Sequence, residues 1–169
     1  MYKLCDKITL DRIEPEGYLP HLNRLAKLKW KSTLTEKSLT TLFTCTDLHP
    51  YYMNLLCAKL WNEKSIPSAE KVQQTWHILV REERLEVIRE LMSLSQGQRK
   101  LLLAIAQGDN QAPTAKAFLK KINMSSSAVV EALKILQEKD YIEQRDDKKY
   151  YLIDPMINTL LQLYFDSPH

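Results

Sequence analysis

Apolar residues recur every three or four positions along most of this chain, the spacing of one-sided helices. Leu22, Leu25, Ala26 and Trp30 form the first stripe. Pro20 cannot sit inside a helix without breaking its hydrogen-bond ladder, so it is expected in the first turn of a helix ending at Trp30. Ahead of it, Glu14-Pro15-Glu16-Gly17 reads as a turn, and Lys7 to Ile13 as a short strand or extended lead-in. Thr35 caps a second helix carrying Leu39, Leu42 and Phe43. His49-Pro50 opens a third, with Tyr52, Leu55, Leu56, Leu60 and Trp61 on its apolar side. After Pro67, Ser68 caps a long charged helix. Its first apolar face is Val72, Trp76, Leu79 and Val80, and a rotated second face is Val87, Ile88 and Leu91. The polar stretch Arg81 to Arg84 between them predicts a bend, and the domain boundary is set near Met92.

Beyond that boundary the punctuation sharpens. Ser95 and Gln98 have the spacing of a capping box, and the helix they open, with Leu101, Leu102 and Ile105 inward, is expected to stop at Gly108. A short helix follows over about 114–122. Asn123-Met124 is a tight turn, and Ser125 or Ser126 caps a helix bearing Val129, Leu133 and Leu136. Two β-prone runs, Tyr141 to Arg145 and Lys149 to Ile153, are joined by Asp146-Asp147-Lys148 as a hairpin. Asp154-Pro155 then opens an amphipathic last helix with Met156, Ile157, Leu160, Leu161 and Tyr164. Three helices, the latter two joined by a tight turn, then a hairpin, is the order of a winged helix-turn-helix domain. The fold class expected is therefore mainly α: a helical bundle over 1–92 and a winged helix over 93–169.

Composition narrows the function. The chain has 169 residues, room for one domain or two small ones, with 44% hydrophobic and 27% charged residues. No apolar run approaches the roughly 20 residues of a membrane span, and the first residues lack the apolar stretch of a signal peptide, so no membrane partner is expected. Cys5, Cys45 and Cys57 are an odd number without a CxxC pair, which argues against disulfides or structural zinc and for the cytoplasm. The three glycines, Gly17, Gly97 and Gly108, are isolated. A phosphate-wrapping loop needs clustered glycines, and neither GxxxxGK[ST] nor GxGxxG can be written here. The chain alone is therefore expected not to hydrolyse nucleotides. Net charge is +3, shared as 14 basic and 12 acidic residues over 1–92 and 10 and 9 over 93–169. Neither half has the excess of a dedicated nucleic-acid binder.

Three segments carry a resemblance that covers almost the whole chain: His49-Pro50-Tyr51-Tyr52-Met53-Asn54-Leu55-Leu56 with Leu60-Trp61, Leu94-Ser95-Gln96-Gly97-Gln98-Arg99, and Tyr151-Leu152-Ile153-Asp154-Pro155. In these the chain resembles the C-terminal lid and winged-helix portion of a prokaryotic AAA+-like P-loop ATPase of the group related to the STAND signalling ATPases. Lys7-Ile8-Thr9-Leu10 with Ile13 is similar to the segment leading from the ATPase core into its lid. The resemblance implies a core upstream of Met1 holding the Walker segments, with ATP and magnesium bound there and no cofactor in this chain. It also implies that a proline-containing turn, here His49, Pro50 and Tyr51, covers the nucleotide. A helix start offers unpaired N–H groups to an anion, proline a flat face to adenine, and histidine a reporter of phosphate. The alternative is that His49-Pro50 only starts a helix whose tyrosines pack in the core; Tyr52, in phase with Leu55, Leu56 and Leu60, is expected there.

Ser125 to Gln137 is the candidate recognition helix. Its outward positions offer Ser126, Ser127, Glu131, Lys134 and Glu138, with no arginine to meet base edges. Lys120 and Lys121 before it and Arg145, Lys148 and Lys149 in the wing supply possible phosphate contacts. The balance favours a module for protein partners, with weak, non-specific DNA binding as the lesser reading. Trp30, Trp61 and Trp76 are expected as core anchors, and the Lys27, Lys29, Lys31 run as a solvated helix end. The expected function is coupling of the upstream core's nucleotide state to the winged helix. The competing reading is a free-standing winged-helix transcriptional regulator.

Overall fold

The computed structural model describes residues 11–165. The chain divides into two compact units, Met1–Ile78 and Leu79–His169. The expected strand or lead-in over Lys7 to Ile13 lies mostly outside the described residues; Ile13 itself donates its N–H to the Leu48 carbonyl at 2.9 Å.

In the first unit α1 spans Pro15–Trp30, α2 Glu36–Thr46 and α3 Pro50–Leu60, and α4, Ala69–Glu82, begins there. Helix α1 departs from expectation. Pro15 stands in its first turn, and the stretch Glu14 to Gly17, read as a turn, opens the helix with Tyr18 N–H bonded to Glu14. Pro20 therefore lies inside the helix, where its missing N–H removes one bond close to the start. The Tyr18 hydroxyl donates to Asn54 Oδ1 on α3, a contact 36 residues away in sequence that holds this early turn. The second helix follows the local rule: Thr35 Oγ1 accepts from Ser38 N–H at 3.1 Å. Buried Ser38 is satisfied in turn by donating to the Pro67 carbonyl. Leu42, Met53, Leu56, Val72 and Trp76 fill this core.

The tryptophans divide. Trp76 is 1% exposed, Trp30 is half-buried and Trp61 is 37% exposed, so Trp61 is not the core anchor its stripe suggested. It is the C-cap residue of α3, one position past buried Leu60. Trp30 meets it at 5.8 Å and donates its indole N–H to Glu63 O.

In the second unit α5 (Arg84–Met92) follows α4 after a break at Glu83, where the bend was predicted. Helix α6 (Gln96–Ala106) opens with the capping box: Gln98 N–H donates to Ser95 Oγ at 3.3 Å, and Ser95 N–H to Gln98 Oε1 at 2.9 Å. It ends before Gly108, whose φ of +94° suits glycine alone at little strain. Helices α7 (Lys116–Ile122) and α8 (Ser126–Glu138) flank a left-handed Asn123, with Ser125 capping α8. The hairpin is shorter than the β-prone runs: β1 Ile142–Gln144 pairs antiparallel with β2 Tyr150–Leu152, Glu143 opposite Tyr151. Helix α9 is Pro155–Phe165, capped by Asp154 Oδ1, which accepts from Met156 and Ile157 N–H. Leu101, Leu102, Val129, Leu136, Ile142 and Leu160 form the core around α6. The second unit is thus a winged helix, and the chain is mainly α. Among the described residues no helix is long and apolar enough to cross a membrane.

Candidate functional site

Two faces carry the candidate residues, one in each unit. In the first, His49 is the N-cap residue of α3 with extended backbone (φ −69°, ψ 123°), and Pro50 follows at the first helical position. Proline is pre-set for that turn, and its lack of an N–H costs nothing there. No side chain caps this helix end, so its positive dipole end is not covered by a local hydroxyl or carboxylate. The His49 N–H is held by the Thr46 carbonyl, and its ring lies 5.1 Å from that of Tyr52. Tyr52 is buried and meets Trp76 edge-on at 5.7 Å, in the core position its phase implied. Tyr51 points away, 62% exposed, and touches Tyr52 edge-on at 5.0 Å. His49, Pro50 and Tyr51 therefore stand side by side at one helix start. What that start can do chemically is accept an anion and offer a ring face.

The two described thiols of this unit are inert by comparison. Burial pushes Cys45 and Cys57 up to about 11, so little thiolate forms near neutrality. Among the described residues no three His, Cys, Asp or Glu side chains converge to hold a metal ion.

The winged-helix face is less cationic than its sequence. Ser126, Ser127, Glu131, Lys134 and Glu138 are all exposed on α8, as expected. Most of the cations, however, have acidic neighbours. Lys121 pairs with Asp109, Lys134 with Glu138 at 3.9 Å, Arg145 with Glu143 at 2.8 Å and Lys149 with Asp147 at 3.9 Å. Arg145 also covers the Tyr151 ring at 4.3 Å. The Asp147 carboxylate sits below its usual range, chiefly because the Tyr151 hydroxyl donates to it at 2.7 Å, so the wing keeps its negative charge at neutral pH. Lys120 lies on α7 and Lys148 at the tip of the wing, both exposed. One residue that sequence reasoning missed is Val130, 54% exposed on α8. It borders an open groove of about 760 Å³ with Leu133, Gln137, Gln144 and Tyr150. Its place one position after Val129, the first residue of the inward stripe, was the available signal.

Against known proteins, a family model described as "Probable winged helix domain" matches residues 87–163. Among solved structures, the chain is similar to the Walker-type ATPase PABY2304 of Pyrococcus abyssi, with a TM-score of 0.69 at 16% identity. That likeness, one of fold, covers 90% of this chain and 43% of the ATPase, so this chain spans less than half of that protein's length. No curated protein matches it in sequence.

Proposed function

We propose that this chain is the regulatory C-terminal part of a P-loop ATPase, acting in the cytoplasm. In this reading an upstream core binds ATP and magnesium. The first unit is the lid over the nucleotide, and the winged helix is the output that touches a protein partner. The observation that carries the proposal is the fold likeness to a Walker-type ATPase over both units. The AAA+ and STAND assignment rests on the segments at His49 to Trp61, Leu94 to Arg99 and Tyr151 to Pro155. The nucleotide-facing role of His49, Pro50 and Tyr51 is supported by the uncapped start of α3 and the exposure of Tyr51. A protein partner for the winged helix is supported by its neutralised cations and by Val130 on the outward face of α8.

The first test reads the genomic sequence upstream of Met1. An in-frame GxxxxGK[ST] supports the ATPase reading, and a promoter and start site there supports a free-standing regulator. The second replaces His49 by Ala in the longer protein. A changed ATP affinity or turnover, with the melting temperature of this 169-residue chain nearly kept, is the expected result. A lowered melting temperature with unchanged nucleotide binding makes His49 a structural residue.

A further inference from the structure

The second unit holds another groove, of about 370 Å³, bordered by α5, α6 and α9 and apart from the one beside Val130. Its floor is apolar, with Leu91, Leu102 and Leu161 buried beneath it. Ile88 and Leu103, both half-buried, and Met92, 66% exposed, rise around that floor. Along α6 the lining residues Gln96, Arg99, Lys100 and Leu103 are spaced i, i+3, i+4 and i+7, so they form one stripe.

The stripe changes character along its length. Its polar members come first. Arg99 donates through Nη1 to Leu94 O at 2.6 Å and to Met92 O at 3.4 Å, which fixes the guanidinium beside the end of α5 without cancelling its charge. Lys100 is exposed one position further on. No carboxylate lines the groove. At the far end Gln162 donates Nε2 to Ala106 O, which sets neighbouring Leu161 beside the last turn of α6, close to Leu103.

A cationic end leading into an apolar trough restricts what can fill it. A phosphate backbone makes no use of buried leucines. A second copy of this chain would bring two more cations and no groove carboxylate to meet them. No strand borders the groove, so an extended peptide would leave its N–H and C=O groups against apolar side chains. An acidic helix calls for cations along the trough, and both stand at one end. A bilayer surface cannot enter a concavity.

We infer that this groove binds a small amphipathic anion, its apolar body lying along Leu103 and Leu161 and its single carboxylate at Lys100 and Arg99. At roughly 30 Å³ per non-hydrogen atom, the share of one water in the liquid, the space takes about a dozen such atoms. That volume lies at the lower end of ligand pockets, about 300–1,000 Å³. The carboxylate stays at the exposed end, where it keeps part of its hydration, and the flexible thioether of Met92 adapts the mouth to the body. This goes beyond the ATPase reading and does not rest on it.

The probe is decanoate, whose twelve non-hydrogen atoms match the space, titrated to about 20 mM at constant ionic strength into the full chain labelled with ¹³C at its methionine methyls. The Met92 resonance, assigned from Met92→Leu, should shift with a Kd of about 1 mM or below, the affinity of about a dozen atoms at ordinary ligand efficiency. Hexanoate, decanol and decyltrimethylammonium should each bind at least about tenfold more weakly. Lys100→Glu and Leu103→Gln should each weaken decanoate about tenfold, with circular dichroism checking the fold, while Lys120→Glu on α7 leaves it unchanged. Several results overturn the inference. They are no Met92 shift with decanoate, an equal response to decyltrimethylammonium, or affinity unchanged in both Lys100→Glu and folded Leu103→Gln. A Met92 shift that follows chain concentration without ligand would assign the groove to a second copy. One produced by phosphatidylglycerol vesicles and not by decanoate would assign it to a membrane.

Discussion

Replacing Tyr52 and Tyr51 in turn by Ala separates the core of the first unit from its exposed face. Tyr52 is 9% exposed, and its ring stands edge-on to Trp76 at 5.7 Å and beside His49 at 5.1 Å. Removing a buried aromatic side chain costs about 3–5 kcal/mol in lost transfer energy and residual cavity. The edge-to-face contact contributes about 0.5–1.5 kcal/mol beyond burial. Tyr51, at 62% exposed, loses only an edge contact with Tyr52, so Tyr51→Ala should stay within about 0.5 kcal/mol. All three tryptophans lie in the first unit, so their emission during urea unfolding reports on it directly. With a slope of about 1.5 kcal/mol/M, Tyr52→Ala should lower the midpoint by about 2 M or more, and Tyr51→Ala by at most a few tenths. The loss is comparable to the lower end of the stability of a unit this size, about 0.05–0.15 kcal/mol per residue, so a first unit already unfolded without urea also counts as the expected large loss. Tyr52→Phe keeps the ring and its contacts and should lose no more than about 1.5 kcal/mol. The reasoning is refuted if Tyr51→Ala costs as much as Tyr52→Ala, or if Tyr52→Ala costs under 1 kcal/mol.

Two further outcomes test the local structure. Ser95→Ala removes the acceptor for Gln98 N–H and should cost about 1 kcal/mol, roughly 4–8 °C in the melting transition of the second unit followed by circular dichroism. Ser95→Asp restores an acceptor and should recover most of it; an equal drop in both variants would show that the box is not what stabilises α6. Glu70, in the first turn of α4, is held down to about 2 by its own backbone N–H and by Lys37 and Ser68. Because its folded value lies below its ordinary value, the stability it adds is complete above about pH 4.5 and fades as pH falls towards 2. The difference in urea midpoint between the native chain and Glu70→Gln should therefore be constant from pH 7 to 5 and vanish near pH 2; a difference that survives at pH 2 assigns the effect to something other than charge.

Much of the helix punctuation was legible because it is local. The Thr35, Ser95, Ser125 and Asp154 caps each act on N–H groups two or three residues away, so residue type and spacing are enough to see them. The break at Glu83 was readable for the same reason, as the point where one apolar face gives way to a rotated one. The start of α1 was not. Proline's local penalty at position 20 argued for a later start, and the contact from Tyr18 to Asn54 that supports the earlier turn joins residues far apart in the chain. The candidate site was legible in part. His49 and Pro50 mark a helix start in any context, but which of two adjacent tyrosines is buried depends on what lies across from α3. Phase favoured Tyr52, and Trp76 packs against it.

By itself the sequence determined most helix ends, those set by a local cap, the order that makes the second unit a winged helix, and the absence of a glycine loop from the chain, since these depend on neighbours within a few residues. Only the tertiary structure decided which stripes found partners, leaving Trp76 enclosed and Trp61 at the surface. It also decided which cations were neutralised. Lys121 and Asp109 are twelve residues apart in sequence yet form an ion pair, while Arg24, Lys27 and Lys31 lie close in sequence and meet no acid among the described residues. Coulomb attraction and apolar contact fall off over a few ångströms of space, and it is the fold that sets those distances.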